Sequence, residues 1–124
     1  MFVGVLQFEL IVPESRSLKD KRRVVKSVKD KLHREHMVSV AEVAALDHHR
    51  LALMGLSMVS NSPTYIHQVF DRVVKKLGAW PNARLGDVSR EVFKGDQLPT
   101  AFLTDEGDPL WTENERRDEP EATP

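Results

Sequence analysis

Residues 17–36, SLKDKRRVVKSVKDKLHREH, read as a helix with one apolar side, and such a helix needs a sheet or a second helix on which to bury that side. Ser17 takes the N-cap position with Asp20 three residues on, an S-x-x-D variant of the capping box. At 100° per residue Leu18, Val24, Val25, Val28 and Leu32 gather on one side, while Lys19, Arg22, Arg23, Lys26 and His33 gather on the other. The apolar side packs, and the basic side is left to water or to something acidic.

The flanking segments supply the sheet. Phe2 to Val12 alternates Phe2, Gly4, Leu6, Phe8, Leu10 with Val3, Val5, Gln7, Glu9, Ile11, a period-2 strand that is partly apolar on both faces. Val38 to Ala45 is valine-rich and too short for a stable helix, so it reads as a second strand. Leu51 to Ser60 is a third, with Leu51, Leu53 and Val59 opposite Ala52, Met54, Leu56 and Met58, and the short link through Asp47, His48 and His49 suggests a hairpin. Ser62-Pro63 starts a second helix, because the hydroxyl caps and proline is tolerated at N1; Ile66, Val69, Phe70, Val73 and Leu77 form its stripe and Gly78 is a plausible C′ residue. After the Trp80-Pro81-Asn82 turn, Arg84 to Phe93 is a fourth strand. The order β-α-β-β-α-β defines an α+β, ferredoxin-like split βαβ, with two helices on one face of a four-stranded antiparallel sheet.

Of the 124 residues, 40% are hydrophobic and 30% charged, enough apolar material for one core and no second domain. The net charge of -1 conceals an asymmetry: residues 1–94 hold 16 Lys and Arg against 10 Asp and Glu, and residues 95–124 hold 2 against 9. The expected organisation is a ferredoxin-like domain over 1–94 and an acidic, irregular or disordered extension over 95–124, where Phe102, Leu103, Leu110 and Trp111 are too sparse for a core but suit anchors that dock on this body or on a partner. Without cysteine there is neither a disulfide framework nor a catalytic thiol, and no apolar run approaches the roughly 20 residues of a membrane span. The expectation is a soluble, cytoplasmic protein.

The segments MFVGVLQFELIVPESRSLKDKRRVVKSVKDKL, VSVAEV, LSMVSNS and SREVF, in this order and spacing, resemble the YlxP-like family of bacterial domains of unknown function over about residues 1–94. The resemblance implies a ferredoxin-like fold, self-association, and genes found among translation and ribosome-maturation factors. It implies no known activity and carries over no site residues.

Candidate sites therefore rest on the residues themselves. Arg16, Lys19, Arg22, Arg23 and Lys26 form a cationic face suited to RNA phosphates, with an ordinary solvated helix face as the alternative. Ribosomal RNA or ribosomal subunits are the expected partners. Phe2 and Phe8 alternate toward the core, so base-specific reading of single strands is not expected. His33 with His36, His48 with His49, and His67 match no metal-binding motif, and no metal or other cofactor is expected. Glu9 and Glu42 sit inside strands; Glu42 shares a side with Val38 and Val40 and is expected to pair with a neighbour such as Arg50 or Arg90, or to line an interface, rather than to act as an acid or base. Asn61 and Ser62 read as capping residues. No nucleophile, oxyanion motif or phosphate loop accompanies any of these, and the protein is expected not to be an enzyme. Val3, Val5 and Ile11 would lie on the face of the sheet that helices leave bare, marking a homodimer interface or, in a second reading, a surface for a protein or small ligand in a regulatory module.

Overall fold

The structure, a computed structural model, describes residues 1–97. Its elements are β1 (Phe2–Ile11), α1 (Leu18–Glu35), β2 (Ser39–Ala44), β3 (Leu51–Ser60), α2 (Pro63–Gly78) and β4 (Arg84–Lys94), followed by a 3-10 turn at Gly95–Gln97. The strands form one antiparallel sheet in the order β2-β3-β1-β4, the ferredoxin-like arrangement. Apart from Gly95–Gln97, the acidic extension and its apolar anchors lie outside the described residues.

The hydroxyls at both N-caps act as the sequence indicates. Ser17 Oγ accepts the Asp20 N–H at 3.1 Å and Ser62 Oγ accepts the Tyr65 N–H at 3.1 Å, each satisfying one of the orphan donors at a helix start. Gly78 is the last residue of α2 rather than its C′ residue; the cap is Ala79, at an ordinary φ of -105°. Leu6, Phe8 and Leu10 of β1 and Met54 and Leu56 of β3 face Val25, Val28 and Leu32 of α1 and Ile66, Val69, Phe70, Val73 and Leu77 of α2. All of these side chains are buried, and they make up most of a single core between sheet and helices. α2 comes close to β1 at Gly4, where an added Cβ would lie 2.8 Å from Phe70 Cζ and closer still to Ile66 Cγ2. The helix settles onto the strand because that residue has no side chain.

One residue departs from the helical pattern. Lys21 lies in register with Leu18, Val25, Val28 and Leu32, on the packed stripe, and is fully buried. Its Nζ donates to the carbonyls of Ala45 (2.9 Å), Leu51 (3.1 Å) and, at the limit of a hydrogen bond, Leu46 (3.5 Å). These three carbonyls use the three ammonium protons, and Glu42 Oε2 at 2.7 Å adds an ion pair rather than a further hydrogen bond. Ala45 adopts a left-handed φ of 60°, which aims its carbonyl at Lys21 while it also accepts the His48 N–H at 3.0 Å. Arg50 Nε donates to the Ser15 carbonyl at 3.1 Å. The β2–β3 connection is thus fastened to the start of α1 by two cations.

Candidate functional site

α1 and α2 lie side by side on the sheet, and the polar edges of both helices line a groove of ≈ 920 Å³ between them. From α1 come Arg23, Lys26, Lys31 and Arg34, and from α2 Arg72, Lys75 and Lys76; among the described residues Asp30 is the one acidic residue in its wall. Trp80 and Pro81, in the turn after α2, close one end with apolar surface. Two carboxylates neutralise part of this charge. Lys26 pairs with Asp30 at 2.9 Å, while Lys76 pairs with Glu35, which Lys31 approaches at 4.0 Å. Arg23, Arg34, Arg72 and Lys75 have no carboxylate partner among the described residues. The hydrogen bond from Lys26 holds the Asp30 carboxyl below its ordinary range, so that carboxylate stays charged.

The five predicted phosphate-binding residues divide. Arg23 and Lys26 line the groove, whereas Arg16, Lys19 and Arg22 are exposed but form no part of its wall. Arg16 precedes α1, with its backbone N–H donating to the Asp20 carboxylate at 3.0 Å. Lys31, Arg34, Arg72, Lys75, Lys76 and Trp80 complete the groove and were not predicted. Arg72, Lys75 and Lys76 stand at i, i+3 and i+4 on the side of α2 away from its apolar stripe, a spacing readable in the sequence. What the sequence lacks is the orientation of the two helices, which brings this cationic edge opposite that of α1.

The candidate acid–base residues have structural partners. Glu42 meets Lys21, not Arg50 or Arg90 as expected, because the carbonyls of the β2–β3 connection and a lysine in the α1 stripe converge beneath it. Arg90 instead pairs with Asp71 at 3.0 Å and lies 5.6 Å over the Phe70 ring. Glu9 Oε1 accepts the Asp87 N–H at 2.9 Å at the irregularity of the β1–β4 ladder, where Gly86 leaves room for the carboxylate. Ser62 caps α2, and neighbouring Asn61 is exposed.

Among the described residues no group of three or more His, Asp or Glu side chains is placed to hold a metal ion. His48 Nδ1 accepts the Arg50 N–H at 3.2 Å, and the His33 ring nitrogen lies 3.1 Å from the Val38 carbonyl. His36 Nε2 is buried and has no hydrogen-bond partner among the described residues. Burial first, and then the charge of Arg72, lower the His36 pKa below its ordinary value of 6.5. The unfolded chain therefore takes up this proton first as pH falls through about 6.5, so stability is complete above that pH and declines below it until the folded group also titrates. The urea midpoint of the wild type is expected to drop more between pH 7.5 and pH 5.5 than that of His36→Gln. Equal drops would show that His36 contributes nothing to acid sensitivity.

Val3, Val5 and Ile11 are half-buried on the face of the sheet opposite the helices. Val3 pairs with Val59 and with Phe93, and Ile11 with Leu51. Val59 of β3 is 63% exposed and Val43, whose side chain lies over Gly55, is 55% exposed, so the bare face carries an apolar strip across the sheet. Phe8 is buried in the core and Phe2 packs against it, leaving neither on this face to stack bases.

No helix among the described residues is long and apolar enough to cross a membrane. A de novo designed protein with a ferredoxin fold, solved by solution NMR, aligns over 81% of this chain and 94% of its own at 15% identity, with a TM-score of 0.42. The uncharacterized protein YlxP of Bacillus subtilis (strain 168) is 27% identical over 79 residues, which span 64% of this chain and 86% of that protein. The family described as "Protein of unknown function (DUF503)" matches residues 3–90, a stretch that starts within β1, ends within β4 and contains the whole basic groove. By that match the chain belongs to the DUF503 family, as a YlxP-like protein.

Proposed function

We propose that this protein is a non-enzymatic, cytoplasmic RNA-binding protein that holds the phosphate backbone of ribosomal RNA in the groove between its helices. The observation that supports this reading is the convergence of seven cationic side chains on one groove with a single aspartate in its wall. Cations that release counterions from phosphates supply affinity independent of sequence. Among the described residues Trp80 is the one aromatic side chain lining the groove, and the bare sheet face carries Phe93 beside Val3 without a second strand aromatic, so the reading is of backbone and shape rather than of base identity. The translation setting implied by the family resemblance points to ribosomal subunits as the RNA to test. Co-sedimentation with subunits at low and moderate salt, comparing wild type with an Arg34→Glu/Arg72→Glu/Lys75→Glu variant, tests it; no co-sedimentation of the wild type at either salt would overturn it.

A second reading, a homodimer joined through the bare sheet faces, is favoured by the apolar strip of exposed Val43 and Val59 with half-buried Val3 and Val5. Four strands spaced about 4.8 Å apart present roughly 500–600 Å² per protomer, so two faces would bury about 1,000–1,200 Å² in total, at the low end of specific interfaces. Light scattering at tens of micromolar is expected to give twice the chain mass, and a Val5→Lys variant the chain mass. A monomeric wild type would rule this reading out.

A further inference from the structure

The acidic end of this same chain matches the basic groove. Residues 98–124, beyond the described structure, hold eight Asp and Glu against two Arg, while the groove wall holds seven cations against one aspartate. The wall's balance of +6 falls to +5 once Glu35, the partner of Lys76, is counted, and the stretch 105–115 carries -5. The apolar features also correspond. Leu110-Trp111 stands between the carboxylates at 105–108 and those at 113–115, as Trp80 and Pro81 stand at the end of the cationic walls.

We infer that the segment Asp105–Glu115 is an occupant of the groove, and that it competes there with nucleic acid. Its carboxylates match Arg34, Arg72 and Lys75 in charge, and Leu110-Trp111 matches Trp80 and Pro81 in apolar character. Reach does not limit the contact. The 27 residues after Gln97 can span up to about 90 Å when extended, against roughly 27 Å for the whole of α1. A tethered segment also meets its site at an effective concentration on the order of millimolar, so weak charge pairing suffices to fill the groove for much of the time. The contact is screened by salt, since the Debye length falls from about 10 Å at 0.1 M to 3 Å at 1 M. As a competitor for RNA the inference rests on the proposed function; as a contact within the chain it does not.

Two measurements separate these. The chain has no cysteine, so Thr112→Cys in the full chain accepts one nitroxide label at one place. At about 50 mM salt the label is expected to broaden the amide resonances of Arg34, Arg72, Lys75 and Trp80 and to spare Val5 and Val59 on the opposite face, with intensity returning at about 0.5 M. Full intensity in the groove at low salt would overturn the inference, as would broadening seen only between labelled and unlabelled molecules. The second measurement uses the full chain carrying Asp105→Asn, Glu106→Gln, Asp108→Asn, Glu113→Gln and Glu115→Gln. If the free groove is about one tenth of the population, this variant binds a ribosomal RNA fragment about tenfold more tightly than wild type. Unchanged affinity, with binding still lost in the groove variant, would overturn the competition while leaving the RNA reading intact. Broadening without RNA binding by any variant would leave the contact and remove the RNA reading.

Discussion

Lys21→Met is expected to destabilise the protein by about 3–5 kcal/mol, the range for breaking a buried ion pair by removing one partner. The ammonium is fully buried and holds together Glu42, whose side chain is 13% exposed, and the carbonyls of Ala45, Leu46 and Leu51, of which Ala45 alone also accepts the His48 N–H among the contacts described above. Methionine fills a similar volume, so packing survives while the carboxylate loses its counter-charge and the carbonyls lose the Nζ donor. In a domain of this size each kcal/mol moves Tm by roughly 4–8 °C, so a fall of more than about 12 °C is expected. Glu42→Gln keeps an acceptor beside Nζ and is expected to have the smaller effect, about 1–3 kcal/mol. Lys19→Met, on the exposed side of the same helix, should remain within about 0.5 kcal/mol of wild type. Urea denaturation of the three variants followed by circular dichroism decides the matter. A loss under about 1 kcal/mol for Lys21→Met would mean that its ammonium does not hold the hairpin connection.

Reversing charge in the groove should act on binding and leave the fold alone. Arg34, Arg72 and Lys75 are exposed, and none has a carboxylate partner among the described residues. Each phosphate contact contributes about 0.7–0.9 to the slope of log K against log salt, so three lost contacts flatten the slope by about 2–3 and weaken binding near 0.1 M salt by roughly 100-fold or more. The companion variant Arg16→Glu/Lys19→Glu/Arg22→Glu reverses as many charges outside the groove wall. It is expected to bind only a few-fold more weakly, through the long-range field. Filter binding of a ribosomal RNA fragment across a salt series measures both. Equal losses would place RNA along α1 as a whole rather than between the helices, and unchanged binding in both would end the case for RNA.

The fold was legible because its signals are local. A hydroxyl at each N-cap, a 3.6-residue stripe in each helix and period-2 alternation in β1 and β3 all lie within one element, and the element order then admits few topologies. The groove was half legible. Arg23 and Lys26 stood out within one helix, but Arg72 and Lys75 gain meaning only from the facing of two helices separated by 27 residues, 36–62. Lys21 was missed for another reason. A lysine in an apolar stripe reads as solvent-facing by residue type, although its i+4 spacing from Val25 and i-3 spacing from Leu18 place it inside. The matching sign was Glu42 on the inward side of β2, an acid that required a nearby cation; without the three-dimensional meeting of α1 and the β2–β3 connection, Arg50 and Arg90 were equally reasonable partners.

The strand order has a consequence for how the chain is made. β1 lies between β3 and β4, and its register runs from Phe2 opposite Ser60 to Ile11 opposite Leu51, and from Phe2 opposite Lys94 to Ile11 opposite Arg84. β2 pairs with β3 and does not touch β1. The first β-α-β half therefore contains no ladder of its own, and every hydrogen-bonded partner of its strands is encoded in the second half. During vectorial synthesis at about 5–20 residues per second, β1 waits several seconds for β3, and longer for β4, before its edges are covered. The two halves look like repeats on paper, yet neither is a unit of assembly; the smallest piece that can close is the span from the first strand to the last.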